Sequence, residues 1–210
     1  MARTGRPRAF DTEEALARAL DLFWDRGFAA TSVQDLVDEL NVQRGSLYAA
    51  FGDKHSLYLK AVELYARRNA ERLRELLESG PVLPVLRRLL VEPAALTGAA
   101  GRDAVGSGDS DGPRTRRGCL VGNTTAELVP GDDAARALVA AAYAGFVEEV
   151  ARALRRAQET GEVSRAATPE AQAQTLLLLF QGSALVSRAT GDRAALAAGI
   201  DAALEALRAG

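Results

Sequence analysis

Two short segments with apolar periodicity, Thr31 to Leu40 and Gln43 to Phe51, stand with only Asn41 and Val42 between them, and this spacing constrains the chain more than any other feature. The first turns Val33, Leu36, Val37 and Leu40 to one side, and the second turns Leu47 and Phe51 inward. Helices this short are marginal in water by themselves, so both must pack on a third element. That element precedes them. Asp11 and Glu14 occupy the N-cap and N3 positions of a capping box, Leu16, Ala19, Leu20 and Phe23 follow at helical spacing, and Gly27 supplies a residue suited to the C-terminal turn. Thr31 and Gln34 repeat the box at the start of the second helix. A helix-turn-helix on a supporting helix is the expected result, with Leu36, Leu47, Phe51 and Trp24 in its core.

The rest of the chain reads as helix. A long helix is expected from Asp53 to about Ser79, then helices over Pro81–Leu96, Cys119–Leu128, Asp132–Thr160, Pro169–Ala189 and Asp192–Arg208, with Thr168 before Pro169 marking a start and Gly161 and Gly191 marking stops. No stretch alternates with period two for long enough to suggest a sheet. Thr97 to Gly118 holds six glycines, Pro113 and the cluster Arg114, Arg116, Arg117, which predicts a loop. The fold class is therefore all-α, with a basic arm at 1–10, a helix-turn-helix domain at 11–53 and a helical domain at 54–210.

Composition removes several chemistries. A single His55 and a single Cys119 supply neither the usual ligand set of a zinc site nor an intrachain disulfide, so no metal and no cofactor are expected. Asp109, Asp111 and Gly112 resemble the start of a calcium loop, but the glycine falls too early and no glutamate follows in place. There is no Walker A motif and no Gly-x-Gly-x-x-Gly, and no nucleophile stands beside a base, which argues against an enzyme. Glu148 and Glu149 are sequence neighbours on a helix and do not face one another. The longest strongly apolar run, Leu176 to Phe180, is far short of the about 20 residues that span a bilayer, and the Arg-rich N-terminus has no apolar stretch behind it. A cytoplasmic chain with a reduced thiol and no membrane contact is expected. The 26 Lys and Arg against 28 Asp and Glu give a net charge of −2, so a nucleic-acid reading must rest on local placement.

That placement exists. The stretch TSVQDLVDELNVQRGSLYAAFGDKHSLY, Thr31 to Tyr58, resembles the DNA-binding helix-turn-helix of the TetR (tetracycline-repressor-like) family: a capped scaffold helix, a tight turn before Val42, a Gly-Ser-Leu-Tyr recognition helix closing on Phe51, and Lys54 with Leu57 opening the next helix. The resemblance covers residues 10 to 60, and beyond them the all-α pattern and the length agree. It implies a DNA-binding transcriptional regulator, a repressor released by a small-molecule inducer. The runner-up is a helical carrier or enzyme whose helix-turn-helix is incidental. Two features depart from the family: Asn41 stands where many members have Gly, which is tolerable because Asn visits the left-handed region readily, and Ala49 and Ala50 replace an aromatic residue and a His.

The first turn of a recognition helix meets base edges, which here selects Gln43, Arg44, Gly45 and Ser46. Arg44 is the first choice for guanine, Gln43 the second, and Gly45 allows close backbone approach. Ser46, Tyr48 and Lys54 are expected on phosphates, as are Thr31 and Ser32 at the start of the scaffold helix. Gly5-Arg6-Pro7, flanked by Arg3 and Arg8, is similar to an AT-hook core that lies in an A·T minor groove. Against this, residues 11–60 hold five Lys or Arg and nine acids.

A module of this size reads one half-site, so a two-fold homodimer is expected, through the helices at about 169–189 and 192–208. Leu176 to Phe180 are apolar almost all round their helix, enough to serve both the chain's own core and a partner, and Leu196, Ile200, Leu204 and Leu207 form a stripe beside them. Family resemblance assigns the last two helices to a four-helix dimer interface. Tyr65, Cys119, Asn123, Tyr143, Phe146, Phe180 and Gln181 are the residues best suited to an apolar effector cavity with a few polar groups. RGCLVGNTTAEL also resembles a TetR subgroup with Gly-Cys-Leu at this place, which implies a second route of release, by an oxidant or electrophile acting on Cys119.

Overall fold

The structure, a computed structural model, describes residues 11–92, 96, 117–190 and 192–208. Among these residues the chain forms α1 (Thr12–Arg26), α2 (Val33–Leu40), α3 (Arg44–Phe51), α4 (Lys54–Glu78), α5 (Val82–Val91), α6 (Leu120–Glu127), α7 (Asp133–Thr160), α8 (Pro169–Thr190) and α9 (Arg193–Glu205). The described β structure is one isolated antiparallel bridge, Val163 with Arg208. The arm with Arg3, Arg6 and Arg8, and the expected loop up to Arg116, lie outside the described residues. Two compact units, Met1–Leu64 and Tyr65–Gly210, divide inside α4 rather than at the 53/54 boundary read from the sequence.

The first unit is built from local signals. Asp11 caps α1, accepting from the N–H groups of Glu13 at 2.8 Å and Glu14 at 3.2 Å. Gly27 closes that helix at φ 83°, a conformation that favours glycine. The capping box of α2 is displaced by one residue from the expected Thr31–Gln34 pair. Ser32 is the N-cap and Asp35 its partner, because Thr31 is fully buried and donates its hydroxyl to the Gly27 carbonyl at 2.7 Å, while Gln34 reaches Asp38 at 2.8 Å. Asn41 takes the left-handed conformation expected of it, at φ 54°, and α3 follows after Val42 and Gln43.

Phe23, Leu36, Leu47, Phe51, Leu57, Tyr58 and Ala61 form the core of this unit, with the Tyr58 ring edge-on to Phe23 at 5.0 Å and to Phe28 at 5.1 Å. Burial of each large apolar side chain contributes about 1.5–3 kcal/mol, which three short helices need from one another. Trp24, expected in the core, is half-buried, since its position on α1 lies beside the face that carries Phe23 rather than on it.

In the second unit α7 and α8 pack along their length, with Val150, Leu154, Leu176 and Phe180 buried, and Leu86 and Leu90 of α5 and Ile200 and Leu204 of α9 join the same core. The N-terminus of α5 is held from a distance: the Glu162 carboxylate accepts from the N–H groups of Val82 at 3.0 Å and Leu83 at 2.8 Å. Helix α5 stops at Val91, short of the expected Leu96, and α9 stops at Glu205, short of Arg208, where Ser164 N–H bonds the Leu207 carbonyl at 2.8 Å and draws the chain into the bridge.

Glu148 faces solvent, while Glu149 is buried between Arg74 of α4 at 2.6 Å and Arg152 at 3.0 Å. The hydrogen bond from Arg74, more than the attraction of Arg152, holds the Glu149 carboxyl below its usual range.

Helix α8 carries two apolar faces. Leu176, Leu177 and Phe180 face the unit's core, whereas Leu178 is 66% exposed, Leu185 69% and Val186 47%. On α9 the outward residues are small: Ala195, Ala198, Gly199 and Ala202 are exposed, while Ile200 and Leu204 are buried and Leu196 and Leu207 half-buried. Among the described residues no helix is long and apolar enough to cross a membrane.

Candidate nucleic-acid interface and effector cavity

Helix α3 presents a surface unlike the rest of its unit. Leu47 and Phe51 are buried and anchor it, while Gln43, Arg44 and Gly45 are exposed, Ser46 is half-buried and Tyr48 is exposed one turn further on. No acid stands on α3, and nothing lies within 4 Å of where a Cβ would stand on Gly45. The first turn is therefore an open, acid-free surface with one guanidinium at its edge.

The acids that make this region net negative are largely committed elsewhere. Asp35 pairs with Arg26 at 3.0 Å and Glu39 with Arg18 at 3.4 Å, and the Arg18 guanidinium also donates to the Glu39 carbonyl. The Ser32 hydroxyl, helped by the Ser32 amide and Arg26, holds the Asp35 carboxyl below its usual range. Asp53 is lowered likewise, chiefly by the Ser56 amide that it accepts from at 2.7 Å to cap α4.

Three residues expected on phosphates are engaged internally. Thr31 is buried, with its hydroxyl on the Gly27 carbonyl and its N–H on the Phe28 carbonyl, so it offers no surface to a phosphate. The Ser32 hydroxyl is shared with Asp35, as donor to its carboxylate and as acceptor from its amide. The Lys54 ammonium donates to the Phe28 carbonyl and to the Thr31 carbonyl, each at 2.9 Å, and sits over the Phe28 ring at 4.1 Å. A lysine opening a helix reads equally well as a phosphate contact or as a lock on the preceding turn, and only tertiary contacts separate the two.

Within the second unit, six of the seven residues selected for an effector site line one cavity of about 50 Å³: Tyr65, Cys119, Tyr143, Phe146, Phe180 and Gln181. Phe146 and Phe180 stack with centroids 5.4 Å apart, Tyr143 shares a hydrogen bond with Thr125 at 3.0 Å, and Gln181 donates to the Cys119 sulfur at 3.7 Å. Burial pushes the phenol of Tyr65 well above its ordinary value, and that of Tyr143 less so. The Cys119 thiol is buried at the N-cap of α6. The seventh residue, Asn123, does not line the cavity. It donates to the Arg117 carbonyl at 2.9 Å and accepts from Arg188 at 2.6 Å, joining the start of α6 to α8.

Asn69 and Leu73 were missed, although they follow Tyr65 at four-residue steps on α4 and so share its face; Asn69 hydrogen-bonds the Tyr65 phenol. A larger, open groove of about 690 Å³ runs between α7 and α8. Of the expected effector residues it includes Tyr143 alone, and its charged walls are paired: Arg155 with Glu170 at 2.6 Å, Arg152 with Glu148 at 3.3 Å. The smaller, apolar cavity is the better effector candidate on chemistry.

Residues 15–69 match the family model of bacterial regulatory proteins of the tetR family, and residues 107–203 match that of the tetracyclin repressor-like C-terminal domain. The chain belongs to the TetR family. Among relatives of this TetR-family chain, the uncharacterized HTH-type transcriptional regulator YezE of Bacillus subtilis is 33% identical over 61% of the chain and 60% of its own length. The transcriptional regulator AcuR of Cereibacter sphaeroides is 29% identical over 87% of the chain and 81% of its own length. The chain spans about a third to three fifths of the length of the first curated relatives it matches. A cysteine mutant of the TetR family transcriptional regulator CifR, solved with 26-base-pair operator DNA, is 29% identical with a TM-score of 0.74, covering 96% of this chain and 99% of that one. The all-α fold, with an N-terminal helix-turn-helix and a helical C-terminal domain, is that of the family.

Proposed function

We propose that this TetR-family chain is a homodimeric transcriptional repressor that leaves its operator when a small molecule enters the C-terminal domain. The observation that carries the DNA reading is the open first turn of α3, with Arg44 exposed, no acid on the helix and free space over Gly45. In this reading Arg44 reads a guanine edge, Gln43 supports it, Ser46 and Tyr48 position the helix on phosphates, and the N-terminal turn of α2 takes a further phosphate. Arg3, Arg6 and Arg8 extend the contact into the minor groove. Titrating the DNA upstream of its own coding region in a gel shift tests this: a specific complex at physiological salt is expected, and its absence would favour a carrier.

Gly45 gives a check with two opposite signs. Gly45→Ala is expected to stabilise the fold by about 0.5–1 kcal/mol, through helix propensity at a site where the methyl group meets nothing. The same methyl group stands between helix and duplex, so operator affinity should fall. Thermal unfolding and a binding titration read the two effects, and a gain in both would remove α3 from the interface.

The outward strip of Leu178, Leu185 and Val186 on α8, beside the small outward residues of α9, supports dimerisation through these helices, since a contiguous exposed apolar strip is the mark of a protein–protein contact. The effector mechanism follows from size. A cavity of about 50 Å³ is far below the about 300 Å³ or more of a small-molecule pocket, so an effector enters only by moving a wall. One wall is Tyr65, Asn69 and Leu73 of α4, the helix that begins at Lys54 just after the recognition helix. A ligand that binds better with α4 displaced shifts the population toward the form that leaves DNA. Cys119, at the N-cap of α6, lines the same cavity, so a covalent adduct on its thiol would fill the same space. Release of the wild type but not of Cys119→Ser by an electrophile is expected if that route operates; equal release would end it.

A further inference from the structure

We infer that Lys54 is a positioning residue of the DNA interface and carries no phosphate contact; the inference rests on the DNA reading above. An ammonium has three donors. Here two of them meet the carbonyls of Phe28 and Thr31 at 2.9 Å each, with the Phe28 ring beneath at 4.1 Å, and the side chain is half-buried. Leaving these partners for a phosphate would break both bonds at once, and while the Phe28 carbonyl would keep the Thr31 N–H, the Thr31 carbonyl would lose the ammonium that holds it.

What Lys54 holds is the chain between α1 and α2. Gly27 ends α1, the Thr31 hydroxyl bonds the Gly27 carbonyl, the Thr31 carbonyl is taken by Lys54, and the next residue, Ser32, is the N-cap of α2. The ammonium therefore sets the peptide from which α2 begins. It fixes the direction of the first-turn N–H groups of α2, and through α2 and its tight turn at Asn41 the placement of Arg44. It acts on DNA through the backbone, without touching it.

The test uses the full-length protein and a duplex carrying its upstream region, with affinity measured against salt. A phosphate-contacting lysine lowers the slope of log K against log salt by about 0.9 for each subunit when its charge is removed, and so by about 1.8 for a two-fold dimer. Lys54→Met keeps the aliphatic stem and removes the donors. The expected result is a folded protein that binds about tenfold more weakly at every salt concentration with an unchanged slope, and faster amide exchange at Ser32 and Asp35. Lys54→Gln makes the same comparison if the Met protein does not fold. A slope lowered by about 1.8 for the dimer would place Lys54 on a phosphate and overturn the inference. A lower melting temperature with unchanged affinity at temperatures where the protein is folded would reduce Lys54 to a structural residue, and overturn it equally. If the wild type shows no salt-dependent binding at all, the DNA reading fails first and takes the inference with it.

Discussion

Arg44→Ala is expected to weaken operator binding by about a hundredfold and to flatten the preference for one base pair in each half-site, while leaving the protein as stable as before. A bidentate arginine–guanine pair is worth about 1–3 kcal/mol of discrimination, and a two-fold dimer loses it twice. Stability should be unaffected because Arg44 is the first, exposed residue of α3, and alanine is at least as good a helix former there. Because the lost contact is to a base edge, the penalty should be largest on the cognate sequence and small on random DNA. Competition titrations with single-base operator variants measure it. Equal losses on cognate and random DNA would make Arg44 one more phosphate contact, and no loss on either would take α3 out of the groove.

The second large effect is expected from Leu185→Glu. Leu185 is 69% exposed, so in an isolated chain the substitution alters little; at an interface it buries a carboxylate against Leu178, Val186 and the small residues of α9. Sedimentation should show monomers where the wild type gives dimers. Operator affinity should fall by about 10²- to 10⁴-fold, because each monomer then binds its half-site without the effective concentration its partner supplies. Circular dichroism should be unchanged. A Leu185→Glu protein that remains a dimer would move the interface away from α8.

Much of the first unit was legible in the sequence because its signals are local. The cap at Asp11, the stop at Gly27, the left-handed turn at Asn41 and the spacing of Leu36, Leu47 and Phe51 each depend on residues within a turn or two of one another. The displaced box at Ser32 shows where local reading fails. Thr31-x-x-Gln34 and Ser32-x-x-Asp35 are equally good boxes in one dimension, and the choice between them fell to a buried hydroxyl and a lysine more than twenty residues away. The cavity repeats this lesson. Six of its residues could be chosen by type and helix position, but Asn123 is drawn off by Arg188 of α8, and Asn69 enters through its place on the face of Tyr65.

The sequence alone determined which segments are helical, their order, and the family motif from Thr31 to Tyr58, since these follow from propensity, capping and periodicity over a few residues. The tertiary structure decided which polar groups remain available once the helices pack. Lys54 and Thr31 turned inward, Glu149 was clamped by Arg74 and Arg152, and the apolar residues of α8 divided between a buried face and an outward one. The physical reason is one of range. A hydrogen bond or a buried face between distant residues depends on which surfaces meet, and that is set only when every helix has found its neighbour.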